Sequence, residues 1–292
     1  MVPAMERRLH LDHLGFLARD LPAAARALQR LGFAPAPPSL HRERSAGADE
    51  PRKTGTANQC LMFRRGYVEV LGIVDREHYS GWITGALQRY EGMHVVGFGC
   101  DEIDRLLASL AAQGHRPLVR KLTRAVEIGG EERPVSFTIL FHSDAEFPEG
   151  RFVTMQHHSR EVLWHPSLLD HPNGAQALCG VTLVVDDVDE FAARVVDWTG
   201  ATVARVAKRA VRIDLPGGFI DAMHATQGRN IYGDALPASP SQIVGMTIAV
   251  ASIAATARLL DEQNVNFRRL DDGLLVPASQ CVGAFIHFVP EG

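Results

Sequence analysis

Cysteine is scarce in this chain of 292 residues: Cys60, Cys100, Cys179 and Cys281 are far apart and form no C-x-x-C pair. That excludes a disulfide framework, and each cysteine reads as a buried reduced thiol without a role. Basic excess is also missing. The 30 Lys+Arg residues against 34 Asp+Glu give a formal charge of −4, so nothing in the balance holds a polyanion and nucleic acid is not expected as a partner. No apolar run reaches the roughly 18 residues of a membrane span. The longest, from Ile243 to Ala257, is broken by Thr247, Ser252 and Thr256, so no membrane partner is expected either. The segment after Met1 turns to His10, Asp12 and His13 instead of an apolar core, which predicts no secretory signal and a cytoplasmic location. There is no G-x-G-x-x-G and no P-loop, hence no nucleotide signal, and no Ser-His-Asp motif stands out.

What is present is ordinary globular composition, 46% hydrophobic and 22% charged, in a length that favours two domains. Its strongest regularity is a short amphipathic helix after an apolar strand, four times over. Strand Leu14 to Ala18 leads to Asp20, a helix stripe from Leu21 to Leu31 and the stop Gly32; Val95 to Gly99 leads to Asp101, Ile103 to Leu110 and Gly114. Val181 to Val185 leads to Asp187, Val188 to Val195 and Gly200; Met246 to Val250 leads to Ser252, Ile253 to Leu260 and Asn264. The distance from first stripe residue to stop is nearly constant. β-type segments follow each helix, and the last carries an aromatic, a branched and a polar residue: Tyr67-Val68-Glu69, Phe152-Val153-Thr154, Phe219-Ile220-Asp221 and Phe285-Ile286-His287. The expected unit is βαβββ, and the expected class is α+β: four tandem modules paired into two cupped mixed-sheet domains, 1–172 and 173–292. A ferredoxin-like split βαβ unit is the structural alternative. The Pro-rich, charged stretch from Pro35 to Lys53 predicts a mobile excursion, and Asp75 to Glu91 a partly helical crossover.

Leu11-Asp12-His13-Leu14-Gly15-Phe16, Asp20 to Ala24, Gly55-Thr56-Ala57-Asn58 and Gly66 to Leu71 resemble the vicinal oxygen chelate superfamily, most closely its glyoxalase-like group. Gln156-His157-His158, Trp164 and His171-Pro172-Asn173-Gly174-Ala175 extend the resemblance over residues from about 10 to 176. It implies a cupped sheet that holds a divalent metal (Zn, Fe, Mn, Ni or Co) through residues of the first and last strands of paired units. Position by position, the first-strand ligand falls on His13 and the last-strand ligand on Glu69. Glu69 is telling by itself, because a carboxylate inside the apolar run Tyr67 to Ile73 costs on the order of several kcal/mol to bury unless it is paired.

In the second unit the turn length leaves His94 or Val95 opposite His13. Repeat alignment sets Thr154 opposite Glu69, which by alternation sends Gln156 and His158 the same way and His157 the other, unless a bulge intervenes. The third metal ligand therefore comes from His94, Gln156, His157 or His158, and we take His157, at the strand end where bulges occur. Glu69 is also the candidate proton-transfer base, and Asn58 and Phe63 are candidate substrate contacts. Arg64, Arg65, Arg120, Arg124 and Arg151 suit an anionic substrate, although exposed strand-face arginines explain them as well. In the later half His13 aligns with Gly180 and Gly245, which cannot ligate, so no metal site is expected there.

The functional expectation is a metal-dependent lyase, isomerase or dioxygenase acting on a small substrate with vicinal oxygens. The alternative is a metal-free protein of the bleomycin-resistance type, sequestering an apolar molecule in a cup lined by Phe16, Phe63, Tyr67, Phe98 and Phe152. A homodimer is possible for such folds.

Overall fold

In the computed structural model the described residues are 9–43, 52–78, 81–238 and 242–292. The residues read as the signal-free start and the middle of the Pro35 to Lys53 excursion lie outside them. The first unit comprises β1 (His10–Ala18), α1 (Leu21–Arg30), β2 (Ser39–Glu43), β3 (Arg52–Met62) and β4 (Tyr67–Ile73), and the crossover carries α2 (Trp82–Arg89). The second comprises β5 (Gly92–Gly99), α3 (Ile103–Ala112), β6 (Leu118–Ile128), β7 (Glu131–Phe141) and β8 (Arg151–His157), followed by the single turn α4 (Arg160–Leu163). The third has β9 (Ala175–Val184), α5 (Val188–Thr199), β10 (Thr202–Ala207), β11 (Ala210–Leu215) and β12 (Gly218–Met223), then α6 (Ala225–Tyr232). The fourth has β13 (Ile243–Val250), α7 (Ile253–Glu262), β14 (Arg268–Leu270), β15 (Gly273–Val276) and β16 (Phe285–Pro290).

Local chemistry sets these boundaries. Asp20 Oδ1 accepts from Ala23 N at 2.8 Å, Asp187 Oδ1 from Asp189 N and Glu190 N at 3.0 Å, and Ser252 Oγ from Ala255 N at 3.3 Å. Gly32, Gly114, Gly200 and Asn264 all take the positive φ that ends a helix. α3 departs from the expected pattern: its cap position is Glu102, which makes no side-chain capping bond. Gln156 reaches over from β8 instead, accepting from Ile103 N and donating to Asp101 O.

The strands form two eight-stranded mixed sheets of the same topology, β2-β3-β4-β1-β5-β8-β7-β6 and β10-β11-β12-β9-β13-β16-β15-β14. In each, two βαβββ units meet through their antiparallel first strands, β1 with β5 and β9 with β13. The edges of the first sheet curl together until Ser39 Oγ donates to Ala125 O at 2.6 Å, so this sheet is nearly a closed barrel.

The outer faces and helices of both sheets share one apolar core, in which Leu14, Phe16, Phe98 and Phe152 pack with Leu178, Phe191, Met246 and Phe288. The inner face of the first sheet is packed differently. It holds three small clusters, around Met62 and Val135, around Leu71 and Ile83, and around Val95 and Met155, with polar side chains among them. The His171 to Ala175 connection ties the halves together. His171 accepts from Ala34 N and donates to Met62 O, while Asn173 donates through Nδ2 to Leu31 O and its carbonyl accepts from Thr256 Oγ1.

Candidate functional site

β1 and β4 run parallel with His13 opposite Tyr67 and Gly15 opposite Glu69, so the alternation of a strand sends both His13 and Glu69 to the inner face. On the β5 side the pairing steps from Leu11 with Phe98 directly to His13 with Gly97, which makes Asp12 the extra residue of a β-bulge. Neighbouring side chains on a regular strand point apart. The bulge brings these two together, and Asp12 Oδ2 accepts from His13 Nδ1 at 2.9 Å and from His157 Nε2 at 3.1 Å.

Asp12 is only 1% exposed. Burial alone would raise its pKa, but the hydrogen bonds and positive charge of His13 and His157 hold the carboxyl far below the usual carboxylate range. Among the described residues its Oδ1 has no hydrogen-bond partner, with His10 Nε2 at 3.8 Å. The His13 ring stacks on Tyr67 at 4.7 Å and lies over Gly97, where a Cβ would stand 2.1 Å from it. Trp164 closes this end, its ring edge-on to Tyr67 at 5.7 Å and to His157 at 5.1 Å. Burial pushes the Tyr67 phenol up, and the carboxylates of Asp12 and Glu69 add to it.

Glu69 accepts a hydrogen bond from Asn58 Nδ2. Asn58 is fully buried, and among the described residues its Oδ1 makes no close hydrogen bond, with the His41 ring beside it. Cys60, opposite Glu69 on β3, has its thiol pushed up to about 12 by burial, which leaves it no nucleophilic character near neutrality. His41 bonds Thr56 Oγ1 at 2.9 Å, and burial lowers its pKa against the pull of Glu69. Arg124 projects inward from β6 and reaches Cys60 Sγ at 3.8 Å.

The second unit corrects the repeat alignment. β5 and β8 pair Val95 with Arg151 and Gly97 with Val153, so Val95 stands where His13 does and Val153, not Thr154, where Glu69 does. The aromatic signature sits one residue later on the ladder in this unit, and matching by residue type slipped the register. Val95 lies over Gly15 as His13 lies over Gly97. His157 faces the cup with no bulge in β8. The other three candidates face elsewhere: His94 stacks on Tyr90 at 4.0 Å, Gln156 caps α3, and His158 bonds Thr138 Oγ1 at 2.8 Å.

Phe63, expected as a substrate contact, belongs to the outer core with Phe33 and His171, as do Phe16, Phe98 and Phe152. Of the five aromatics expected to line the cup, Tyr67 alone does so. Among the described residues no group of three His, Cys, Asp or Glu side chains is arranged to hold a metal ion. The donor chemistry is nonetheless partly in place: His13 backed by Asp12 and Glu69 held by Asn58 are two oriented donors, each with an outer partner that fixes it.

In the second sheet the rings of Phe219 and Phe285 lie over Gly180 and Gly245. Asp221 is taken by Arg212 in two 2.7 Å bonds, and His287 faces Asp272 at 3.2 Å.

Asp12, His41 and Trp164 were not singled out as functional from sequence. Asp12 is visible beside His13, but regular alternation would place it on the opposite face, and the bulge carries no local signature.

A family model described as a glyoxalase-like domain matches residues 11–199. No curated protein matches the chain by sequence. Among solved structures of similar fold is a hypothetical protein from Staphylococcus aureus, with TM-score 0.65 and 11% identity, covering 97% of this chain and 100% of that one. The Mn(II)-bound glyoxalase from Novosphingobium aromaticivorans matches with TM-score 0.57 and 11% identity over 98% of this chain and 83% of that one. A variant of homoprotocatechuate 2,3-dioxygenase from B. fuscum matches with TM-score 0.55 and 11% identity over 100% and 73%. At these identities the likeness is one of fold. No helix among the described residues is long and apolar enough to cross a membrane.

Proposed function

The chain belongs to the glyoxalase-like domain family of the vicinal oxygen chelate superfamily, and from that premise we propose that the inner face of its first sheet is the active site of an enzyme acting on a small, oxygen-bearing substrate. The observation that carries this reading is the bulge at Asp12, which buries a carboxylate behind His13 and joins it to His157 from the far end of the unit pair. A buried charge with two imidazoles is costly, and packing alone gives no reason to keep it. His13 and Glu69 are the residues that would hold a divalent cation, and His157 is the candidate third donor, bonded to Asp12 in this structure. Such an ion would supply Lewis acidity toward a substrate oxygen. The chain's own groups position and move protons: Asp12 fixes the His13 ring, Asn58 holds Glu69, and Glu69 accepts a proton from the substrate. Residues 1–172 carry this site, and 173–292 act as its support.

Elemental analysis of tag-free protein after metal reconstitution tests the reading, with His13→Ala and Glu69→Ala alongside and circular dichroism as the folding control. About one metal per parent chain, lost in both variants, is the expected result. A metal-free parent would overturn the metal-dependent form. A second reading, the metal-free sequestering protein, is favoured by one observation: Val95 and Val153 occupy the positions where the second unit would offer donors. Unchanged ligand binding after chelator treatment would select it.

A further inference from the structure

The first cup contains a cation that neither the metal donors nor the fold requires. β6 pairs Arg124 with Val135, and Val135 packs on the inner cluster with Met62 and Tyr67, so the guanidinium stands on the same face as Glu69. It is half-buried, and its one hydrogen-bond contact among the described residues is the Cys60 thiol at 3.8 Å; no described carboxylate pairs with it. Exposed strand-face arginines need no partner, but this one has given up much of its water for a single weak acceptor. Beside it, against the same Cys60 thiol, is a second unmet demand. Asn58 is 0% exposed, spends its amide nitrogen on Glu69 and the Cys60 thiol, and among the described residues its Oδ1 has only the His41 ring beside it and makes no close hydrogen bond. A guanidinium asks for an anion and a bare amide oxygen asks for an O–H or N–H.

Resting on the reading of this cup as the substrate site, we propose that its substrate is a small carboxylic acid bearing a hydroxyl group, the carboxylate engaged by Arg124 and the hydroxyl donating to Asn58 Oδ1. A single planar guanidinium matches the two oxygens of a carboxylate. A phosphate dianion is disfavoured by the Glu69 carboxylate on the same face. The apolar neighbours Met62 and Val135 accept an aliphatic tail. Arg124 is thus a specificity residue, and Glu69 keeps its role as the proton acceptor.

Calorimetry with 2-hydroxy-4-methylpentanoate, its primary amide and 4-methylpentanoate, on the parent and on Arg124→Gln, tests the assignment. The parent should bind the hydroxy acid roughly 10-fold or more tighter than either analogue, the scale expected for a charge-assisted hydrogen bond or an unmet buried acceptor. Arg124→Gln should remove the preference for acid over amide and leave amide binding as it was, with an unchanged circular dichroism spectrum. Equal parent binding of acid and amide, a preference that survives Arg124→Gln, or no binding of any probe overturns the proposal. The site reading is judged separately by the metal content of His13→Ala and Glu69→Ala, so a missing acid preference beside His13- and Glu69-dependent metal would sink this assignment alone.

Discussion

The imidazole of His13 lies across the bare backbone of Gly97, its partner on β5, so closely that a Cβ there would stand 2.1 Å from the ring. Gly97→Ala should therefore displace His13 and cost about 1–3 kcal/mol, the usual range for overpacking. Because one contact causes the loss, the double variant Gly97→Ala/His13→Ala should recover most of that stability. Urea denaturation of the four proteins of the cycle checks it, and additive losses would show that the ring is not what Gly97 accommodates.

Asp12 acts on the site through His13 and His157. Asp12→Asn keeps the shape but removes the charge to which both imidazoles donate. Outer-sphere substitutions of this kind weaken metal affinity about 10–100-fold. Competition with a chromophoric chelator measures it; parent-like affinity in Asp12→Asn would mean that the carboxylate does not prepare His13.

How far the site could be read in advance follows from where its information lies. The βαβββ units, their caps at Asp20, Asp187 and Ser252 and their stops at Gly32, Gly114, Gly200 and Asn264 are local in sequence, and periodicity with cap chemistry revealed them. The shared face of His13 and Glu69 followed from resemblance, and strand register accounts for it. The second unit was misaligned because Phe152 looks like Tyr67 but sits one rung away, a register that only inter-strand hydrogen bonds define. Phe63 was misassigned because it lies just past the end of β3, where alternation no longer decides its face. Asp12 and Arg124 acquire meaning only from a bulge and from closure of the barrel, and both are tertiary events.

His142 predicts a pH dependence remote from the cup. It is buried between the sheets against Trp198, with Nδ1 unpartnered and Nε2 3.4 Å from Thr154 Oγ1. Burial pulls its pKa down to about 3. The unfolded chain takes up a proton near pH 6.5 and the folded chain does not. Its contribution is thus fully present above about 6.5 and lost as pH falls toward about 3, by up to ~1.4 kcal/mol per pH unit. His142→Asn should flatten that part of the stability profile measured by chemical denaturation between pH 7 and 4. An unchanged slope would place the titration elsewhere.

The two sheets should unfold together. Their outer faces share one core from Leu14 and Phe152 to Phe191 and Phe288, and across it Arg194 of α5 forms a two-pronged ion pair with Glu149 and also donates to Glu146 O. Glu149 is 7% exposed, so Glu149→Ala leaves a largely buried guanidinium without its carboxylate and with the Glu146 carbonyl alone. Breaking such a pair on one side costs about 3–5 kcal/mol. The loss should appear as a lower midpoint of a single transition, with circular dichroism and tryptophan fluorescence coinciding. Two separated transitions in the parent would mean that residues 1–172 and 173–292 fold independently. The substitution would then act on a docking contact alone, leaving the stability of each half where it was.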